Sequence, residues 1–411
     1  MEKALEPFSE LLIGMARQYD RHFWVGESAP FDFTTANILG CTNFRLSPGH
    51  HRRYQVVWAY EQSPADLAPG QFELVFDELL RLIDDRGKLV VRFSQNDHFT
   101  VIKLKHFLGR RYNARIQVDH ESFEDGVFTT VFDVRRFKLE RYRDKRWTFA
   151  IVTQGKRKAN VVRFLKSIRQ FDPELIHEIL VLGPPDNAYE PFDVRYMKTE
   201  YREHLAEISR KKNDIAEFAT HPNLLIAHDR YVLDENFFAG FEQFGYDFDF
   251  TTVLQWYECG TRFPAYAALV GEDLTWSTPI DCSDYNSLRA SQFLNGGLLV
   301  GKTDSFRDIQ FNDMLFWNQA EDLELARAFR NHSLPPRVNC FASATTLGIT
   351  PEYTKTFVPE TSSKANNYTP KRKNRSLLNK ETFLTVPILR YGKKVEQLLR
   401  PHIQRIFRKA S

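Results

Sequence analysis

Residues 147–186 read WTFAIVTQGKRKANVVRFLKSIRQFDPELIHEILVLGPPD, and the spacing of their apolar residues changes twice. "WTFAIVTQG" reads as a strand ending in a polar turn, and "KANVVRFLKSIRQF" repeats apolar residues near helical spacing. "HEILVLGPPD" is a second strand closed by a breaker turn. Further on, "KKNDIAEFATHPNLLIAHD" supplies another helix, a short turn and a third strand. Strand, helix, strand, helix, strand predicts an α/β domain with a mainly parallel sheet. The functional loops of such a sheet leave its carboxyl edge, where Thr153, Gly155 and Asp229 are expected.

Downstream, "DENFFAGFEQF" predicts a helix, followed by an irregular aromatic and acidic region that includes "QWYECGTRFPAY". "FLNGGLLVGK" and the helical "FWNQAEDLELARAFR" come next. The polar, punctuated "FVPETSSKANNYTPKRKNRSLLNKET" reads as a linker. Beyond it, Val395, Leu398, Leu399, Ile403, Ile406 and Phe407 share one helical face with Lys and Arg around them, and Pro401 bends or interrupts the helix. A basic amphipathic helix of this kind suits an anionic inner-membrane surface or a partner protein.

Upstream, "QFELVFDELLRLIDDRGKLVVRF" predicts a helix, a turn at Gly87 and a strand, and "VFTTVFDVRRF" another strand. The acidic helix before a "GKLV" strand weakly resembles the latter half of a class I methyltransferase over residues 50–137. The glycine-rich cofactor turn of that family is missing, since "FDFTTANILGCTNFRLSPGHHRRYQVVWAY" offers only isolated Gly40 and Gly49. A degenerate Rossmann-like α/β domain over 1–142, structural or partner-binding, is therefore expected ahead of the basic, aromatic linker "RRFKLERYRDKRW". The second α/β domain spans 147–355, and 356–411 form the linker and tail.

The chain has 411 residues, 42% of them hydrophobic, enough for two or three folded domains. Its net charge is only +3, with the basic excess gathered after Lys371, and no nucleic-acid recognition motif accompanies it. Cys41, Cys259, Cys282 and Cys340 are dispersed, which points to free thiols in a reducing compartment. The N-terminus lacks a signal-peptide pattern and no apolar run has bilayer-spanning length, so a cytoplasmic location is expected.

Taken in order, "TQGKRKANVVRFLKSI", "EILVLG", "KKNDIAEFA", "NLLIAHDRYVLDENFF", "NGGLLVGK" and "WNQAEDLELARAFRNHS" resemble the motifs of a GT-A glycosyltransferase over residues 147–345. The likeness is to inverting, family-2-like bacterial enzymes. It implies a nucleotide-sugar donor, a glycan or lipid-linked acceptor, and a role in surface polysaccharide synthesis, such as capsule or lipopolysaccharide. On the donor side it implies Thr153 and Gly155 at the nucleotide turn, Arg157 at the phosphates or the rim, and Lys212 and Asn213 on the nucleotide.

Where such enzymes carry Asp-X-Asp, this sequence has "AHDR", so Asp229 would hold Mn²⁺ or Mg²⁺. His228 would ligate the ion, contact the donor or orient Asp229, and His332 is a candidate third ligand. On the acceptor side the resemblance implies Glu258, Arg262, Gly296, Gly297 and Trp317, with Asp322 as general base. Glu321 would be hydroxyl binder or alternative base, with Glu324 a further helper if it turns inward. A noncatalytic scaffold in a polysaccharide-synthesis complex is the competing expectation, because the full Asp-X-Asp is absent.

Overall fold

The computed structural model describes residues 9–197, 200–202, 204–263, 266–268, 292–316 and 319–354. The architecture is mixed α/β. The first part comprises α1 (Glu10–Gln18), β1 (His22–Val25), β2 (Thr34–Ala36), β3 (Tyr54–Ala59), α2 (Phe72–Leu82) and β4 (Ile83–Ser94). It continues with α3 (Val101–Gly109), β5 (Ala114–Glu124) and β6 (Val127–Arg136). The strands form a sheet in the order β2-β1-β3-β4-β6-β5, parallel from β2 to β4 and closed by the antiparallel pair β6 and β5.

Gly87, expected as a turn, lies inside β4. A Cβ there would come within 2.4 Å of the Gln55 carbonyl and 2.8 Å of Ile83 Cγ2. The register between β3 and β4 shifts at that point, so the glycine serves close strand approach at a bulge.

The second part holds β7 (Trp147–Val152), α4 (Lys158–Arg169), β8 (Glu178–Leu182), β9 (Arg195–Tyr196), α5 (Ile208–Phe218), β10 (Asn223–His228), β11 (Tyr231–Leu233), α6 (Phe237–Phe244) and β12 (Phe250–Tyr257). After the ribbon of β13 (Tyr266–Ala268) and β14 (Gln292–Leu294) come β15 (Leu298–Lys302), α7 (Thr303–Asp308), α8 (Glu321–Asn331), β16 (Arg337–Thr346) and α9 (Pro351–Thr354). The sheet order is β11-β16-β12-β15-β10-β7-β8-β9. β9, β8, β7 and β10 are parallel as expected, whereas β15 and β11 run against their neighbours. β7 sits between parallel neighbours and is buried on both faces, which is why its sequence is continuously apolar rather than alternating. The register sets His228 beside Val152, and so brings Asp229 to the turn at Thr153.

One apolar cluster runs from Phe76 and Leu79 in the first part to Phe250, Leu323 and Phe329 in the second. Trp147, Phe149, Phe164 and Phe241 fill the opposite face of the second sheet. Buried charges stitch the two parts together. Arg337 donates to Asp77 at 2.8 Å and to the Asn43 carbonyl at 2.7 Å, and Arg111 pairs with Asp77 at 2.7 Å. Burial alone would raise the Asp77 pKa, but Arg111, Arg337 and Arg81 hold it below the usual carboxylate range.

The basic stretch expected as a linker is part of this seam: Arg141 pairs with Asp249 and with Asp304 at 2.7 Å, and the Tyr142 hydroxyl donates to Asp249 at 2.9 Å. Arg141 is enclosed because Asp249, just before β12, and Asp304 on α7 meet it, whereas Arg143, Lys145 and Arg146 stay exposed. No helix among the described residues is long and apolar enough to cross a membrane. The amphipathic tail lies outside the described residues.

Candidate active site

Three turns converge at the carboxyl edge of the second sheet. After β7, Thr153 Oγ1 donates to Asp229 Oδ2 at 2.8 Å and accepts from the Gly155 amide at 3.0 Å. Gly155 has φ +76°, and a Cβ there would strike Pro184 at 2.6 Å, so the turn depends on glycine. Arg157 reaches Asp229 Oδ1 at 3.2 Å from the solvent side. Both Asp229 oxygens are thus already engaged by groups of the chain.

After β10, the His228 amide donates to the Gly297 carbonyl at 2.9 Å. The His228 imidazole Nε2 is buried without a hydrogen-bond partner among the described residues, and so is Arg230 Nε. Burial, reinforced by Lys212, Arg230 and Arg157, drives the His228 pKa well below its ordinary value, so the ring is neutral. Arg230 folds back over the turn before β15: a Cβ on Gly297 would lie 2.6 Å from Arg230 Nη2 and 3.1 Å from the Tyr231 hydroxyl.

The same turn binds the acidic pair. The Gly296 amide donates to Asp322 Oδ2 at 2.9 Å, and Lys212 Nζ donates to the Gly296 carbonyl at 2.9 Å and to Glu321 Oε1 at 3.1 Å. A Cβ on Gly296 would meet Asp322, Glu321 and Lys212 at 3.1 Å each. Consecutive Cα atoms are about 3.8 Å apart, so Arg230 and Asp322 flank neighbouring glycines. Donor-side and acceptor-side candidates therefore share one short turn.

α8 begins abruptly because Ala320 is left-handed, φ 62°, a conformation costing about 1–2 kcal/mol outside glycine. The expected start near Trp317 is displaced to Glu321, and Trp317 itself lies outside the described residues. That turn sets both acids in the first turn of the helix. Burial, then the neighbouring Glu321 carboxylate, pushes Asp322 up to about 7, against the opposing pull of Lys212. An acid in that range exchanges protons near neutral pH.

Several expectations change. Lys212 is buried, bonded to the Gly296 carbonyl and Glu321, and within electrostatic reach of both Asp322 and His228. Asn213 is occupied on both ends by the Phe311 backbone, each bond 2.9 Å, so it clamps the loop after α7. His332 closes the far end of α8, a helix about 16 Å long at 1.5 Å per residue, where it bonds to the Ala328 carbonyl at 2.8 Å and stands edge-on to Tyr112. It is therefore remote from Asp229.

Glu258 is engaged by Arg163 at 3.2 Å and by the Gly348 amide at 2.8 Å, while Arg262 stacks over Trp256 with Nε and Nη2 unpartnered among the described residues. Glu324, expected as a helper, points a partly buried carboxylate elsewhere on α8, with Oε2 unpartnered among the described residues. Arg230, the cation where "AHDR" departs from Asp-X-Asp, lies across Gly297 beside these candidates. Its signal in the sequence was its place directly after Asp229.

The residues around Asp229 do not fit a divalent ion. Among the described residues no three His, Cys, Asp or Glu side chains are grouped to hold a metal. Hard cations take carboxylate and carbonyl oxygens, whereas Asp229 is bracketed by the Arg157 guanidinium and followed by that of Arg230, which repel a divalent ion.

No family model matches the sequence, and no curated protein matches it. Solved structures with partial similarity include GalNAc-T7 with UDP, GalNAc and Mn²⁺, at 14% identity and TM-score 0.38, covering 53% of this chain and 46% of that one. S. aureus TarS matches at 12% identity and TM-score 0.35 over 57% of this chain and 42% of that one. A TarS 1–349 structure matches at 12% and 0.33 over 52% and 63%. The chain spans less than two thirds of each of them. Similarity this loose assigns no family.

Proposed function

We propose that this chain is a GT-A-type glycosyltransferase that moves a sugar from a nucleotide-sugar donor to a hydroxyl of a glycan or lipid-linked acceptor, with inversion. The observation that carries this reading is the 296–297 turn. It holds a carboxylate with a pKa near neutrality on one side and a guanidinium beside the sheet's carboxyl-edge crevice on the other. In this reading Asp322 takes the acceptor hydroxyl proton as the oxygen bonds to the anomeric carbon. The bond from that carbon to the diphosphate oxygen breaks, and its electron pair leaves with the phosphate. Lys212 holds the Glu321 carboxylate next to Asp322, and that neighbour favours proton uptake by Asp322. Thr153, Gly155 and Arg157 form the donor rim, and Gly296 allows the acceptor close to the base.

The first sheet, in this proposal, is a Rossmann-like support without a cofactor of its own. Glu61 accepts from Trp24 Nε1 at 2.6 Å and from the Ser28 amide at 3.0 Å. A Cβ on Gly26, φ +140°, would overlap its carboxylate at 2.2 Å, so the crevice after β1 is filled by the chain itself.

A bacterial polysaccharide role, a cytoplasmic site of action and docking of the basic tail on an anionic membrane complete the reading. The test is a mass-resolved screen of nucleotide sugars against lipid-linked oligosaccharide acceptors. A product heavier by one sugar, of inverted anomeric configuration, is expected; no transfer from any donor, or a retained configuration, sinks the proposal. Removal of residues 392–411 is expected to abolish sedimentation with anionic liposomes, and unchanged sedimentation rules out the tail as anchor.

A further inference from the structure

Resting on the nucleotide-sugar reading, we infer that the donor diphosphate is held by Arg157, Arg230 and the His228 imidazole, and that no divalent ion bridges it to Asp229. Asp229 acts instead as the counter-ion that parks Arg157 when the donor is absent.

Four observations converge on this. Asp229 binds Thr153 through one oxygen at 2.8 Å and Arg157 through the other at 3.2 Å, so an ion there would have to displace or face the Arg157 guanidinium. Beside the Thr153 and Asp229 contact, Arg230 Nε and His228 Nε2 find no hydrogen-bond partner among the described residues, and His228 Nε2 is a donor in its Nε2–H tautomer. A buried N–H without an acceptor is costly, so a ligand supplying phosphate oxygens would satisfy both groups at once.

Third, Arg230 is aimed by its surroundings: it lies across Gly297, where any side chain would displace it, and close to the Tyr231 ring. Its backbone carbonyl accepts from the Leu347 amide, which ties the guanidinium's root to the end of β16. Fourth, Arg157 is half exposed and holds the Asp229 oxygen that Thr153 does not use, so it can swing from that carboxylate to a phosphate without unfolding anything. Guanidinium groups match phosphate in a bidentate fork, which a metal ion otherwise supplies as point charge.

The charge balance closes without a metal. When the bond from the anomeric carbon to phosphate oxygen breaks, the diphosphate gains one negative charge while the acceptor proton passes to Asp322. Arg230, and Arg157 once it has left Asp229 for the donor, meet that charge, and the Nε2–H tautomer of the neutral imidazole donates one hydrogen bond. Arg157 leaving Asp229 also couples donor arrival to a change at the rim.

Calorimetric titration of the full chain with UDP, GDP, dTDP and pyrophosphate, each in EDTA and in Mn²⁺ or Mg²⁺, tests this. At least one nucleoside diphosphate is expected to bind equally well in EDTA, with Arg230→Ala weakening it about 10- to 100-fold and Arg157→Ala about 10-fold. Asp229→Asn is expected to tighten binding about threefold, because it releases Arg157. Binding that appears only with a divalent ion, or that Asp229→Asn abolishes, overturns the inference and leaves the transferase reading standing. Absence of binding by every probe in every buffer overturns both. Arg157→Ala, on the exposed rim, decides the matter should Arg230→Ala fail to fold, and wild-type affinity in Arg157→Ala contradicts the assignment.

Discussion

At the carboxyl edge of the first sheet, the Glu61 carboxylate fills the crevice after β1 and β3 and takes its hydrogen bonds from Trp24 and Ser28. At the same edge of the second sheet, His228 Nε2 and Arg230 Nε remain without partners among the described residues, and Asp322 sits near neutrality beside them. Both edges belong to parallel strands, so both offer the crevice where ligands bind in open α/β sheets. The difference lies in what occupies the crevice. At the first edge the chain's own carboxylate fills it, although Gln62 Oε1 beside it has no partner among the described residues; at the second, an imidazole and a guanidinium keep polar capacity for something that arrives.

Four changes break or sharpen that contrast. The largest effect is expected from Asp322→Asn, which should lower kcat by about 10²–10⁴ with a smaller change in KM. In the wild type, kcat/KM should rise with pH and level off above about 7, because the carboxylate must be deprotonated to accept the hydroxyl proton. A flat profile between pH 5 and 8, or robust turnover by the variant, removes Asp322 from the base role.

Arg337→Ala attacks what the two halves share. It leaves Asp77 buried beside fewer cations and should cost about 3–5 kcal/mol in denaturant unfolding, with both sheets lost in one transition. Two separated transitions would mean that the buried seam does not couple the halves.

Gly297→Ala should reduce kcat/KM by about 10²-fold, since its Cβ would displace Arg230 from 2.6 Å away, while stability falls by only about 1–3 kcal/mol. Unaltered kinetics in a folded variant would show that the Arg230 position is irrelevant to turnover. The smallest effect belongs to Glu61→Gln, less than about 1 kcal/mol because the group is largely exposed.

The sign follows from its depressed pKa, set by the Trp24 and Ser28 hydrogen bonds against the opposing effect of burial. The stabilisation is present above the ordinary value of 4.5 and is lost as pH falls through the lower folded value, so variant and wild type should converge in acid. Sugar transfer by this variant should equal wild type, and any loss would make the first sheet part of the active site.

The sequence by itself determined three strands and two helices of residues 147–228, because a continuous apolar run and a helical spacing are local patterns, whereas the two-residue β9 carries no such pattern. It also placed Thr153 and Asp229 at one edge, since parallel strands joined by helices terminate on the same side of the sheet, whereas the pairing of their two strands came from the tertiary register. It pointed to Glu321 and Asp322 as an acidic pair at a helix.

The tertiary structure alone decided who meets whom. Lys212 and Asn213 are adjacent in the chain, yet one is drawn to Glu321 and the other to the Phe311 backbone. His332 shares a helix with Asp322 but faces the first sheet from its other end. The basic stretch around Arg141 reads as a linker until Asp249 and Asp304, distant in sequence, enclose it. Charge pairing is non-directional along the chain and costs burial energy that only an opposite charge brought by folding can offset. For that reason composition identified the charged groups, and the packing of the two sheets assigned their partners.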